Sequence, residues 1–98
     1  MTNPNMSSVS PEARVRIPAS IYARTFGDEV VLLDFKRGEY FGLDDVGAEI
    51  WRGLEAGRTL LAIAKAIVER YDVTEEQALR DVTALVSQMS EERLVEVA

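Results

Sequence analysis

Acid–base chemistry in this sequence would have to rest on carboxylates. It contains no histidine and no cysteine, and no other side chain titrates near neutrality without a large shift. The candidates are the adjacent pairs Asp44-Asp45, Glu75-Glu76 and Glu91-Glu92, each at the end of a predicted helix. Asp44, Asp45, Glu75 and Glu76 suit a first turn, where a carboxylate accepts from free backbone N–H groups and meets the positive end of the helix dipole. Glu91 and Glu92 fall in a last turn and read as solvated surface. The missing His and Cys also exclude imidazole triads, thiolate nucleophiles, disulfides and the usual zinc ligand sets. Gly42 and Gly47 lack the flanking Gly and Lys of a phosphate loop. No catalytic residue, cofactor or metal is expected.

Two segments have the chemistry of a peptide-binding surface instead. Glu39-Tyr40-Phe41-Gly42-Leu43 reads as a short strand. At a sheet edge its unpaired N–H and C=O groups would form a template for another chain. Edges are usually blunted with Pro, Lys or a bulge, whereas this one carries two aromatics, a Gly and a single charge, Glu39. An extended peptide could add there as a further strand, backbone bonds giving affinity and side-chain pockets giving specificity. Tyr40 and Phe41 could both be simple core residues, but neighbours on a strand face opposite ways, so one can be core while the other lines a groove. Asp81, Leu85 and Gln88, at i, i+4 and i+7, offer a facing wall: Leu85 for an apolar side chain, Asp81 and Gln88 for polar groups.

The elements that must position these residues follow from periodicity. Residues 1–14 are rich in Ser, Thr, Asn and Pro with no apolar period, and read as a disordered segment. From residue 15 a β-forming stretch is broken at Gly27-Asp28 and Lys36-Arg37-Gly38, which predicts three antiparallel strands: Ile17–Phe26, Glu29–Phe35 and Glu39–Leu43. The run Val30-Val31-Leu32-Leu33 does not alternate, so the middle strand is expected to be buried on much of both faces. Three helices follow. The first starts at an Asp44 or Asp45 cap, carries Val46, Ile50, Trp51 and Leu54 on one face, and ends at Gly57. The second is capped by Thr59, with a stripe of Leu60, Ile63, Ala64, Ile67, Val68 and Tyr71. The third opens with the capping box Thr74-Glu75-Glu76-Gln77 and carries Ala78, Val82, Leu85, Val86 and Met89. Leu94 to Val97 form either a last short strand or a packed tail. The order defines an α+β, winged-helix-like domain over residues 15–98, a three-stranded antiparallel sheet followed by three helices.

Charge decides against the usual ligand of a winged helix. Eleven Lys+Arg against seventeen Asp+Glu leave a net charge of −6, the wrong sign for phosphate or anionic lipid. The third helix and its flanks hold the acids Glu69, Asp72, Glu75, Glu76, Asp81, Glu91, Glu92 and Glu96 against Arg70, Arg80 and Arg93, so an acidic winged-helix regulator of DNA is the weaker reading. Apolar runs are too short to span a bilayer. No basic segment followed by an apolar one opens the chain, so a cytoplasmic protein is expected. A toxin-neutralising or scaffolding domain would use the same strand edge with a different partner.

Leu32-Leu33-Asp34-Phe35, Gly38-Glu39-Tyr40-Phe41-Gly42-Leu43-Asp44, Gly47, Ile50-Trp51, Gly57-Arg58-Thr59, Ile63-Ala64, Tyr71-Asp72-Val73, Asp81-Val82 and Leu94-Val95 together resemble, in order and spacing, PqqD-like proteins. These are precursor-peptide recognition elements for ribosomally made, post-translationally modified peptides. The resemblance implies a non-catalytic domain that holds a precursor's leader peptide as an added strand. The implied binding positions are Glu39, Tyr40, Phe41, Gly42 and Leu43 on the third strand and Asp81, Leu85 and Gln88 on the third helix. The Gly-Glu-Tyr-Phe-Gly-Leu-Asp wording is most similar to the stand-alone proteins of lasso-peptide clusters. That implies a cysteine-protease-like leader peptidase as a second partner and, indirectly, a macrolactam synthetase. A PqqD-type chaperone that presents its peptide to a radical-SAM enzyme is the alternative.

Overall fold

The computed structural model describes residues 9–98. Five strands and three helices lie in it in the order β1 (Val15–Arg16), β2 (Ile21–Phe26), β3 (Glu29–Asp34), β4 (Glu39–Leu43), α1 (Asp45–Glu55), α2 (Leu60–Arg70), α3 (Glu75–Glu91) and β5 (Glu96–Val97). Strands β2-β3-β4 form one antiparallel sheet with β3 in the centre, and β1 pairs with β5 in a second, two-stranded one. The expected α+β order, a three-stranded antiparallel sheet and then three helices, is what the described residues adopt.

The first predicted strand is the main departure. Ile17–Phe26 is interrupted, because Pro18 has no N–H to give a ladder. A turn closes instead where Ile21 N donates to the Pro18 carbonyl at 3.1 Å, and the residues before it peel away to pair Val15 with Val97. That pairing also settles the C-terminal segment as a strand, with Leu94 and Val95 buried just before it. The segment expected to be disordered, 1–14, divides in two: residues 1–8 lie outside the described residues, and 9–14 pack at the start of α2. Leu60 N donates to the Ala13 carbonyl and Leu61 N to that of Pro11, at 3.1 and 2.8 Å.

The sheet has one buried and one open face. Val30, Leu32 and Asp34 are buried, while Val31 and Leu33 between them are half-buried. The middle strand is thus less covered than its continuous apolar run suggests. Its outer face is shielded by cross-strand neighbours, Leu33 lying between Tyr22 and Tyr40 in register. Tyr22 also meets the Phe35 ring edge-on at 5.0 Å. On the inner face the helices supply Ile50, Trp51, Leu54, Leu60, Ile63, Ile67, Val82, Val86 and Met89, all buried in one cluster with Leu32 and Leu43.

Each helix begins on a side-chain cap. Asp44 Oδ1 accepts from Gly47 N at 2.8 Å, Thr59 Oγ1 from Ala62 N at 3.1 Å and Thr74 Oγ1 from Gln77 N at 3.0 Å. Only the Thr74 half of the expected capping box forms; the Gln77 amide donates forward to Asp81 Oδ1 at 2.8 Å. Two helices end alike. After α1, Gly57 has φ +78°, with Gly57 N donating to Leu54 O and Arg58 N to Gly53 O. After α3, Arg93 takes the same left-handed position at φ 62°, with Arg93 N bonded to Ser90 O and Leu94 N to Met89 O. Both are Schellman closures.

These contacts predict two opposite stability effects. A methyl at Gly53 would sit 2.6 Å from Ile63 Cγ1, so Gly53→Ala is expected to destabilise by about 1–3 kcal/mol through overpacking, despite its gain in helix propensity. Arg93→Gly relieves a left-handed L-residue and is expected to stabilise by about 1 kcal/mol. Urea denaturation of both variants checks the signs.

Candidate functional site

Beyond β4 the sheet stops. Its residues pair with β3 on one side, from Val30 opposite Leu43 to Asp34 opposite Glu39, and with no strand on the other among the described residues. Facing that free edge is α3, which packs along α2 and leaves a groove of about 650 Å³. This is within the ordinary range for a ligand cleft. Phe41, Gly42 and Leu43 form one wall, Asp81, Leu85 and Gln88 the other, and Asp44, Val46, Gly47 and Ile50 of the α1 start close it between them.

Six of the eight residues singled out in the sequence therefore share one cleft. Glu39 and Tyr40 do not line it. Strand alternation puts Phe41 and Leu43 on the inner side and Tyr40, 78 % exposed, on the open outer face. Glu39 stands at the far end of β4 beside Arg37, their charged groups 3.6 Å apart. Leu85, expected as part of the α3 core stripe and as a groove wall, is half-buried, while its stripe-mates Ala78, Val82, Val86 and Met89 are fully buried.

The α1 contribution was missed in the sequence. Val46 and Ile50 read there as core residues, but they also form the cleft's base. The available signal was Gly47, since glycine inside a helix costs about 1 kcal/mol relative to alanine and marks a close approach. A Cβ at this position would lie 3.2 Å from Leu43 Cβ and 3.3 Å from Asp44 Oδ1.

One end of the groove is tied. The β3–β4 turn is held by Asp34, whose buried carboxylate accepts from Lys36 N at 3.0 Å and Arg37 N at 3.1 Å. From that turn Arg37 Nη1 donates to the Glu92 carbonyl at 3.0 Å, joining the tip of the hairpin to the C-terminal end of α3. Electrostatically the cleft is acidic, since its charged lining residues are Asp44 and Asp81. Among the described residues no group of three or more His, Cys, Asp or Glu is placed to hold a metal ion, and no helix is long and apolar enough to cross a membrane.

The described residues thus set the open edge of a three-stranded sheet across a cleft from a helix. The family model of coenzyme PQQ synthesis protein D (PqqD) matches residues 29–95, and the chain belongs to the PqqD family. Among solved structures it is similar to TbiB1 in complex with the TbiA(beta) leader peptide, with 36 % identity, 83 % of this chain and 94 % of the other covered, and a TM-score of 0.79. It is also similar to lasso peptide synthetase B1 complexed with the leader peptide, with 30 % identity, 84 % and 96 % covered, and a TM-score of 0.78. No curated protein sequence matches it.

Arg37→Ala is expected to release the hairpin tip from α3. The stability loss should be about 0.5–1 kcal/mol, as befits an exposed bond, and amide exchange should quicken locally over residues 36–39. Hydrogen-exchange NMR reads both.

Proposed function

We propose that this chain binds the leader peptide of a ribosomally synthesised precursor in lasso-peptide biosynthesis. The leader lies as an added strand along β4, against Leu85 of α3, and is presented to a cysteine-protease-like leader peptidase. The protein catalyses nothing itself, and a macrolactam synthetase acts downstream on the released core. The observation that carries this reading is the coincidence of a free strand edge and an apolar cleft at Phe41, Leu43, Val46, Ile50 and Leu85, in a chain similar to two proteins complexed with leader peptides.

The energetics fit such a site. Ordering a flexible leader costs several kcal/mol, so a micromolar complex, roughly −8 kcal/mol, needs apolar anchors beyond backbone pairing. The cleft supplies them. Capture then raises the local concentration of the cleavage site at the peptidase. Backbone bonds tolerate variation among leaders, and side-chain pockets set which precursor is accepted.

Titrating the protein with the leader half of a lasso-peptide precursor is expected to give saturable binding. Amide shifts should concentrate at residues 39–43 and 81–88. Leu85→Asp should weaken binding at least tenfold, about 1.4 kcal/mol, with circular dichroism unchanged because the buried stripe of α3 is untouched. Full affinity in a folded Leu85→Asp variant would move the site elsewhere.

A further inference from the structure

The wall opposite β4 carries a charge pattern with a consequence for sequence preference. Asp81 and Leu85 are four residues apart on α3, a rise of about 6 Å at 1.5 Å per residue. A strand advances about 6.4–6.8 Å between side chains on the same face. A peptide extended along β4 and parallel to α3 would meet Leu85 with one side chain and Asp81 with the next on that face. Asp81 is prepared for such a contact. Gln77 Nε2 holds its Oδ1 at 2.8 Å, while Oδ2 has no hydrogen-bond partner among the described residues. The other charged residue of the lining, Asp44, adds to the same negative field, and no lysine or arginine lines the cleft to offset it.

From this spacing we infer that the groove selects leaders carrying a lysine or arginine two positions from the apolar anchor, with Asp81 as the residue that reads the cation. The inference rests on the peptide-groove reading above and adds to it a chemical class of leader. Leu85 and the apolar base set where the peptide sits, and Asp81 sets which charge it carries. Gln88, beyond Leu85 on the same row, is neutral and makes no such demand.

The test separates this inference from the reading it rests on. A phage-displayed library of random 12-residue peptides is panned on the whole protein and on its Asp81→Asn and Asp81→Lys variants, each checked for unchanged circular dichroism. Wild type is expected to enrich peptides with Lys or Arg two positions from Leu, Ile, Val or Phe. Asp81→Asn should keep the apolar anchor and lose the charge preference, and Asp81→Lys should keep the anchor and turn the preference to Asp or Glu. For one enriched peptide in solution, Asp81→Asn should raise Kd about two- to fivefold, the scale of an exposed ion pair, and the difference should shrink with added salt. An apolar anchor enriched by wild type with no charge preference would overturn the role of Asp81 and leave the groove reading standing. No enrichment by wild type would overturn both.

Discussion

The structure turns on the one-sided pairing of β4. A strand in the middle of a sheet has all its N–H and C=O groups engaged, whereas β4 spends half of them on β3 and turns the rest toward a cleft. Backbone polar groups shut away from water without partners are costly, so α3 cannot close on this edge. It has to stand off, and the gap it leaves is too polar along one side to fill with core residues. Leu85 is half-buried for this reason while the rest of its helical stripe is sealed.

Keeping that gap open without letting it drift falls to a few short contacts at its two ends. At one, Asp44 caps α1 within a residue of β4, and the bare Cα of Gly47 lets the helix start against Leu43. At the other, the buried Asp34 shapes the hairpin so that Arg37 reaches the last turn of α3. Arg93, held left-handed, then turns the chain so that Leu94 and Val95 enter the core. None of these contacts is strong alone. Together they fix the separation of strand and helix, which neither element could fix from its own sequence.

Much of this was legible in the residues. Helix starts announced themselves through Asp44, Thr59 and Thr74, and the stripe of buried residues in each helix followed its 3.6-residue period. β4 was bounded by Gly38 and the Asp44 cap, so its limits could be read directly. Less legible was whatever depends on what lies across a gap. Alternation says that Tyr40 and Phe41 face opposite ways, but which side is inward depends on register with Leu33 and Leu32. Val46 and Ile50 look like core residues in one dimension because a groove base and a core are made of the same side chains. Pro18, plain in the sequence, has no N–H with which to carry the first strand further.

The pairing of β1 with β5 has an architectural consequence. Val15 lies opposite Val97, and Ala98 N donates to the Arg14 carbonyl at 2.9 Å, so residues 14–16 and 96–98 are clasped together at one point. That point adjoins the Arg37 end of the cleft, since Arg37, Arg93 and Glu96 border a common hollow with Pro18 and Asp34. The β1–β5 pair therefore works as a clasp between two stretches at least eighty residues apart in sequence, on the side of the domain where the hairpin tip meets α3.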